Sequence, residues 1–451
     1  MPPSDADNPL ECFMAGLRKR NPGEDAFHQA VEEVARDVMP WYLEHDELRQ
    51  AQVLERLTEP DRIISFRVTW ETDSGEVRSD RAWRVQFSNT LGPYKGGLRF
   101  DKSVTQGVLK FLGFEQVFKN ALTGLPMGGA KGGSNFNPRG KSDREVMRFC
   151  KSLMTELRRH IGEHVDVPAG DIGVGRREIG YLFGEYVRLE NRWGGVLTGK
   201  DEHNGGSAIR TEATGYGCVY FAAEVLQHAG GSIEGKRVAI SGAGNVASFA
   251  AEKAIQMGAR VVTMSDSDGV AVFDDGMTEE HLADLREVKN KENGRVSDFA
   301  EGRSGVEYRG GEKPWRVACD VAMPCATQNE LDDDDAQRLL EGGLALVCEG
   351  SNMPLTAGAA RHVRDARVPH APGKASNAGG VAVSGLEMTQ NAMRLSWSRE
   401  EVDERLRKIM REIHGQCVAE GEHEGRVDYV RGANLAAFKK VAQSTLERGV
   451  V

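Results

Sequence analysis

Residues 237–247 read RVAISGAGNVA: the apolar run Val238-Ala239-Ile240 leads into Ser241-Gly242-Ala243-Gly244-Asn245-Val246-Ala247. The spacing is G-x-G-x-x-A, with a predicted strand before it and a predicted helix after it. In that setting Gly242 makes a tight turn, Gly244 lets backbone approach a pyrophosphate, and Ala247 permits close helix–strand packing. The helix start at Asn245 and Val246 turns N–H groups toward phosphate oxygens. A dinucleotide-binding βαβ unit is therefore expected here.

The neighbouring pattern extends that unit. Helices are predicted over 216–229 and 246–257, and strands over 237–241, 260–265, 317–323 and 345–348. Such alternation implies a parallel sheet. The second strand ends at Asp266, whose carboxylate alone favours the ribose 2′-hydroxyl of NAD. Ser265 and Ser267, with Lys289 or Lys291, could instead hold a 2′-phosphate, so the motif leaves NAD and NADP open.

Upstream, residues 24–58 carry apolar side chains at helical spacing (Phe27, Val31, Val34, Val38). Residues 62–87 read as two strands joined at Asp73-Ser74-Gly75. A helix is predicted over 104–122. The polar stretch DEHNGGS marks a domain boundary near residue 205. The last predicted helix runs from Ser398 to about His414 behind a capping box, Ser398-x-x-Glu401. The run Asp332-Asp333-Asp334-Asp335 fits acids at a helix N-terminus.

Four lysines stand out in this first half. Lys95 lies in Gly92-Pro93-Tyr94-Lys95-Gly96-Gly97 and Lys131 in Gly128-Gly129-Ala130-Lys131-Gly132-Gly133, both read as glycine-rich loops; Lys110 and Lys119 lie on the helix between them. Gln116 and Lys119, three apart, share a helix face. Taken singly, each lysine is an ordinary solvated charge. Two of them inside glycine-rich segments, in a chain that also carries a dinucleotide motif, point to an anionic substrate. Crowded cations lower one another's pKa, which would make one lysine a usable base near neutrality. Pro168-Ala169-Gly170-Asp171 places a carboxylate in a turn.

Composition narrows the function. The 451 residues suit two domains. Glycine contributes 53 residues, well above the usual share of about 7%. Net charge is −10 and no dense basic block occurs, which argues against nucleic acid. No run of 18 apolar residues exists, so no membrane span is expected. The acidic, proline-containing start, residues 1–8, lacks the pattern of a signal peptide. Seven scattered cysteines without a C-x-x-C pair read as reduced thiols in a cytoplasm.

Two motif matches are decoys. Residues 194–200, GGVLTGK, have P-loop spacing, but Asp201 follows where Ser or Thr is needed and no apolar strand precedes. Residues 160–164, HIGEH, spell an inverted zinc-protease motif, but Gly162 interrupts the helix it requires. No metal is expected.

The stretches GPYKGGLRF (92–100), KFLGFEQVFKNALTGLPMGGAKGG (110–133), DVPAGDIGVG (166–175), EATGYG (212–217), SGAGNVA (241–247), PCATQNEL (324–331), EGSNMP (349–354) and NAGGVAVSGLEMTQNA (377–392) together resemble the hexameric glutamate dehydrogenases over nearly the whole chain. That resemblance implies an α/β fold of two domains. Residues 1–205, completed by C-terminal helices over 385–451, would form the substrate-binding and oligomerisation domain. Residues 206–384 would form a Rossmann-like dinucleotide-binding domain. The implied reaction is the reversible oxidative deamination of L-glutamate to 2-oxoglutarate and ammonium in a cytoplasmic homohexamer, with domain closure excluding water before hydride transfer.

Residue by residue, the resemblance implies that Lys95 and Ser384 hold the side-chain carboxylate. Lys119 would hold the α-carboxylate, helped by Gln116, Gly170 and Asn377. Lys131 would be the catalytic lysine, and Asp171 would carry protons to and from the amino nitrogen. Thr214 would contact the nicotinamide amide, Asn245 the phosphates and Asn352 the nicotinamide ribose. The Ser265-Asp266-Ser267 stretch and Lys289 look like members that use NADP. Lys95 favours glutamate over apolar amino acids. Two segments depart from the pattern: residues 201–204, and Thr211 where proline is usual. The competing readings are an NAD-linked dehydrogenase of glutamate or another amino acid, and an inactive regulatory homologue.

Overall fold

The computed structural model describes residues 8–291 and 294–450, so the opening stretch read above lies, apart from Asn8, outside the described residues. By their contacts these residues form two units. The first holds the residues up to Ala208 with Ser384–Val402 and the residues from Asn434 onward; the second holds Ile209–Val383 and Asp403–Ala433.

The first unit opens with helices α1 (Pro9–Arg20), α2 (Asp25–Leu43), α3 (Asp46–Gln50) and α4 (Val53–Leu57). Its sheet contains β1 (Arg62–Glu71), β2 (Val77–Ser88), β3 (Tyr94–Phe100), β4 (Gly129–Ser134) and β5 (Asp166–Gly170), in the order β1-β2-β4-β3-β5. The expected hairpin is β1 and β2, paired antiparallel. β3 runs parallel to both β4 and β5. Helices α5 (Gln106–Leu122), α6 (Asp143–Leu157) and α7 (Arg176–Glu190) flank the sheet. Thr105 caps α5, and the Ser142/Glu145 capping box starts α6.

The core on the α6 side stacks Phe136 on Phe149 at 3.8 Å between centroids, with Trp70 and Phe100 edge-on to both. Inside the sheet, Arg84 and Asp166 form a wholly buried ion pair. Arg84 also donates to the carbonyls of Gly96 and Gly97 at 3.1 and 3.3 Å, and Gln86 donates to Asp166. Removing either partner would leave an uncompensated charge in the core.

The second unit carries α8 (Ala213–His228), β6 (Arg237–Ile240), α9 (Asn245–Gln256), β7 (Arg260–Asp266), β8 (Gly269–Phe273), α10 (Glu279–Asn290), α11 (Val296–Ala300), β9 (Val306–Gly310), β10 (Val321–Met323), α12 (Asp333–Glu341), β11 (Leu346–Cys348), α13 (Ala357–Asp365), β12 (His370–Ala371) and α14 (Gly373–Ser376). Its sheet order is β12-β11-β10-β6-β7-β8-β9. The five strands from β12 to β7 are parallel, as the βαβ pattern predicts, whereas β8 and β9 add an antiparallel edge the alternation did not announce. Asp332 caps α12, with Asp333 to Asp335 in its first turn, as expected.

Three helices end the chain: α15 (Gly379–Met393), α16 (Arg399–Gly421) and α17 (Tyr429–Arg448). The Ser398/Glu401 capping box is present, but its helix runs on to Gly421 and another follows. The C-terminal helices were expected to belong wholly with the first domain. Instead residues 403–433 pack with the second unit, where Asp403 receives hydrogen bonds from the Tyr220 hydroxyl and lies 3.6 Å from Lys253. Among the described residues no helix is long and apolar enough to cross a membrane.

Candidate active site

The two lysine segments read as loops are strands. Lys95 lies on β3 and Lys131 on β4, and glycine is there because neighbouring backbone leaves no room for a side chain. A Cβ on Gly96 would lie 1.6 Å from the carbonyl oxygen of Ala130.

β3 sits between β4 and β5, so groups from its two neighbours meet across it. Lys131 from β4 and Asp171, just past β5, do so at Gly97. A Cβ there would be 2.9 Å from the Asp171 Cβ and 3.4 Å from Lys131 Nζ. Lys131 Nζ lies 2.8 Å from Asp171 Oδ2, and Arg99 Nε donates to the same oxygen at 3.2 Å. As expected, Asp171 opens a turn: it follows β5 and bridges to Val174, whose N–H donates to the Asp171 carbonyl at 2.8 Å, and its carboxylate is left to the two cations.

Burial drives the Lys131 pKa down, and the Arg99 and Arg84 guanidinium groups add to that against the opposing pull of Asp171. Crowded cations contribute as expected, through two arginines rather than through other lysines, but desolvation comes first. Burial also pushes the Asp171 carboxyl up, but Lys131 and Arg99 outweigh it and hold the group well below the usual carboxylate range. The directions are compatible. Arg99, Asp171 and Lys131 together carry one excess positive charge, and the proton most easily given up is the lysine's.

Lys95 is almost fully buried and donates from Nζ to Thr198 Oγ1 at 2.8 Å. Thr198 is buried as well, and its N–H donates to the Pro168 carbonyl on β5 at 3.0 Å. On α5, Gln116 donates to Asn120 at 2.7 Å, and Asn120 donates to the carbonyls of Lys95 and Gly128. Asn120 thus locks the Gln116–Lys119 helix to β3 at Lys95 and to the residue that leads into β4. Lys119 is half-buried one turn from Gln116. Ser384 is buried on α15, where a Cβ on Gly385 would meet Leu125 and Met127, the approach to β4.

In the second unit, Gly242 has φ +86°, the left-handed turn its place in the motif requires. A Cβ on Gly244 would meet nothing within 4 Å, so open space lies where a pyrophosphate would approach the start of α9. The cradle fits a dinucleotide. The Ser265 hydroxyl accepts from the Gly242 N–H at 3.0 Å, which pins the loop.

Asp266 is not presented as the NAD reading of the motif would have it. Its oxygens accept from the N–H groups of Asp268 and Val296, at 3.0 and 2.9 Å, and Lys289 lies 3.8 Å away. Lys289 also donates to the Gly294 carbonyl. Ser267, exposed beside it, accepts from the Arg295 guanidinium at 3.2 Å. Asn377 donates to Asn352 Oδ1 and to the Ser351 carbonyl, both at 3.1 Å. Thr214 stands at the start of α8 against Gly380.

Three residues escaped the sequence reading. Thr198 sits in the P-loop decoy, whose Lys200 amine is spent on Glu387. Arg99 is two positions past Gly97 in an already quoted motif, and Arg295 carries no motif at all. The other decoy breaks as expected: α6 ends at Leu157, and His164 is largely exposed beyond it. The divergent 201–204 segment is a short turn in which Asp201 caps His203 and pairs with Arg176 at 3.3 Å.

A dinucleotide cradle in one unit and a buried amine–carboxylate pair in the other define an α/β oxidoreductase. Family models match at residues 205–449 (Glutamate/Leucine/Phenylalanine/Valine dehydrogenase) and 60–188 (Glu/Leu/Phe/Val dehydrogenase, dimerisation domain). The chain belongs to the Glutamate/Leucine/Phenylalanine/Valine dehydrogenase family. It is 54% identical to the NADP-specific glutamate dehydrogenase of Escherichia coli, over 98% of this chain and 99% of that one. It is 52% identical to the NAD-specific glutamate dehydrogenase of Bacteroides fragilis, over 98% of this chain and 100% of that one. The crystal structure of Plasmodium falciparum glutamate dehydrogenase is similar at a TM-score of 0.95 and 46% identity, covering 98% of this chain and 95% of that one.

Proposed function

We propose that this chain is a glutamate dehydrogenase that interconverts L-glutamate and water with 2-oxoglutarate and ammonium, using NADP. The observation that carries this reading is the buried Lys95 amine on β3, one strand over from the Lys131–Asp171 pair. A dicarboxylate needs two separated cations, and Lys95 and Lys119 supply them.

Lys95, Thr198 and Ser384 hold the side-chain carboxylate. Lys119, with Gln116, Gly170 and Asn377, holds the α-carboxylate. Lys131, its pKa lowered by burial, is neutral when it takes a proton from the water that adds to the α-carbon of the iminium left by hydride loss. Asp171 passes protons to and from the amino nitrogen. In the other direction the same two groups deliver ammonia to the carbonyl. NADP, when bound, supplies hydride transfer. Gly242, Gly244, Asn245 and Val246 hold its phosphates, Thr214 its carboxamide and Asn352 its nicotinamide ribose.

Ser267, Lys289 and Arg295 take the 2′-phosphate, while Ser265 and Asp266 hold the loop that presents them. The capping of Asp266 by two N–H groups supports NADP over NAD, because that carboxylate is already engaged. The name of the Bacteroides relative keeps NAD as the second reading. A cytoplasmic homohexamer completes the proposal, supported by the match to a dimerisation domain and by seven unbridged cysteines.

The test is the initial rate of NADPH and of NADH oxidation, measured separately with 2-oxoglutarate and ammonium. NADPH is expected to be preferred by on the order of a hundredfold or more, as two added charge-assisted contacts would give. An NADH preference would move the ribose contact to Asp266. Silence with both, in a protein that still binds cofactor, would leave the inactive homologue.

A further inference from the structure

Lys200 and Glu387 have no part in the chemistry above, yet they form a buried ion pair in the first unit, with side chains 1% and 0% exposed. Lys200 Nζ donates to Glu387 Oε1 at 2.7 Å and to the carbonyl of Leu197. The second carboxylate oxygen, Oε2, accepts from the Gly199 N–H at 2.9 Å. The pair therefore grips the peptide groups on both sides of one residue, Thr198. A third backbone bond ties the Thr198 N–H to Pro168 on β5. What these three bonds hold in place is the hydroxyl that accepts from the Lys95 amine.

We infer that the Lys200–Glu387 pair is a positioning device: it fixes Thr198, and through Thr198 the Lys95 amine, and so sets the preference for a substrate with a distal carboxylate. The inference rests on the assignment of Lys95 proposed above. Stability does not account for the pair, because apolar side chains of similar volume fill a core as well as a buried ion pair or better. An apolar pair would, however, have nothing to offer the carbonyl and the N–H that flank Thr198. Glu387 also cancels the charge of Lys200, so that the second ammonium does not compete with Lys95 for the substrate's carboxylate.

The experiment compares wild type, Glu387→Gln, and the double variant Lys200→Met with Glu387→Met. Each is assayed with NADPH and ammonium on 2-oxoglutarate and on 2-oxopentanoate, the same carbon chain without the distal carboxylate. Both variants are expected to raise KM for 2-oxoglutarate about tenfold with kcat little changed, the size of one weakened hydrogen bond to a charged group. The kcat/KM for 2-oxopentanoate should stay at its wild-type value. Equal losses on both substrates would make the pair merely structural, and no loss on either would remove it from substrate selection; either result overturns the inference. The double variant keeps the buried volume, so the comparison survives if Glu387→Gln does not fold. A wild-type enzyme that does not prefer 2-oxoglutarate would overturn the Lys95 assignment first, before any variant is made, and this inference with it.

Discussion

Glycine does opposite work in the two units. On β3 it removes a side chain so that backbone can close up: a Cβ on Gly96 would fall 1.6 Å from the Ala130 carbonyl oxygen. At the start of α9 it keeps space open: a Cβ on Gly244 would meet nothing within 4 Å. The crowded glycine makes a rigid floor from which Lys95 and Lys131 project, held by strand pairing on both sides. The open glycine leaves a gap for something absent from the polypeptide. One residue type thus marks a site that positions its own side chains and a site that receives a ligand, and its neighbours tell the two apart.

The contrast breaks most visibly at Gly96. Gly96→Ala has to push β3 away from β4, since the atom it strikes is backbone and cannot rotate aside. The expected cost exceeds ordinary overpacking and is on the order of 4 kcal/mol or more. It is read as a fall in the urea midpoint, with activity lost. A variant with the wild-type midpoint would mean that the strand spacing at this point is not tight.

Gly244→Ala should do the reverse. The added methyl meets no protein atom, and alanine is a poorer helix N-cap than glycine by less than about 1 kcal/mol. The urea midpoint should barely move. Affinity for NADPH should fall about tenfold or more, because the methyl stands where backbone must approach the pyrophosphate. Fluorescence titration measures it. Unchanged affinity would place the phosphates elsewhere.

How much of this was legible in the sequence follows the same divide. The dinucleotide unit was readable because its signals are local: an apolar strand, two spaced glycines and a helix, all within residues 237–257. The antiparallel edge, β8 and β9, was not, since a short pairing within a sheet leaves no periodic trace of its direction. In the first unit the chemistry-bearing lysines stood out, but GGAKGG reads as a loop until the strands that crowd it are known. Lys95 and Thr198 are about a hundred positions apart and nothing in either segment announces the other. The engagement of Asp266 was hidden for a related reason, since its two N–H partners come from the following turn and from the start of α11. The source of the lowered Lys131 pKa, burial first and Arg99 second, is a property of the folded sheet.

That last point gives the smallest effect. Arg99→Met removes a cation that disfavours protonated Lys131 while leaving Asp171, which favours it, in place. That change in balance stabilises the ammonium, so the Lys131 pKa must rise toward the ordinary lysine range. In glutamate oxidation, where neutral Lys131 is needed, the ascending limb of the kcat/KM profile should move to higher pH. The loss at neutral pH should be on the order of a few fold, the scale of one nearby charge, and should vanish on the alkaline plateau. Asp171, still paired with Lys131, remains ionised throughout that range and adds no inflection of its own. A uniform loss at every pH would show that Arg99 acts through the shape of the site. A shift to lower pH would mean that the group titrating in this profile is not Lys131, and the proton-transfer role proposed for β4 would have to be given to another residue.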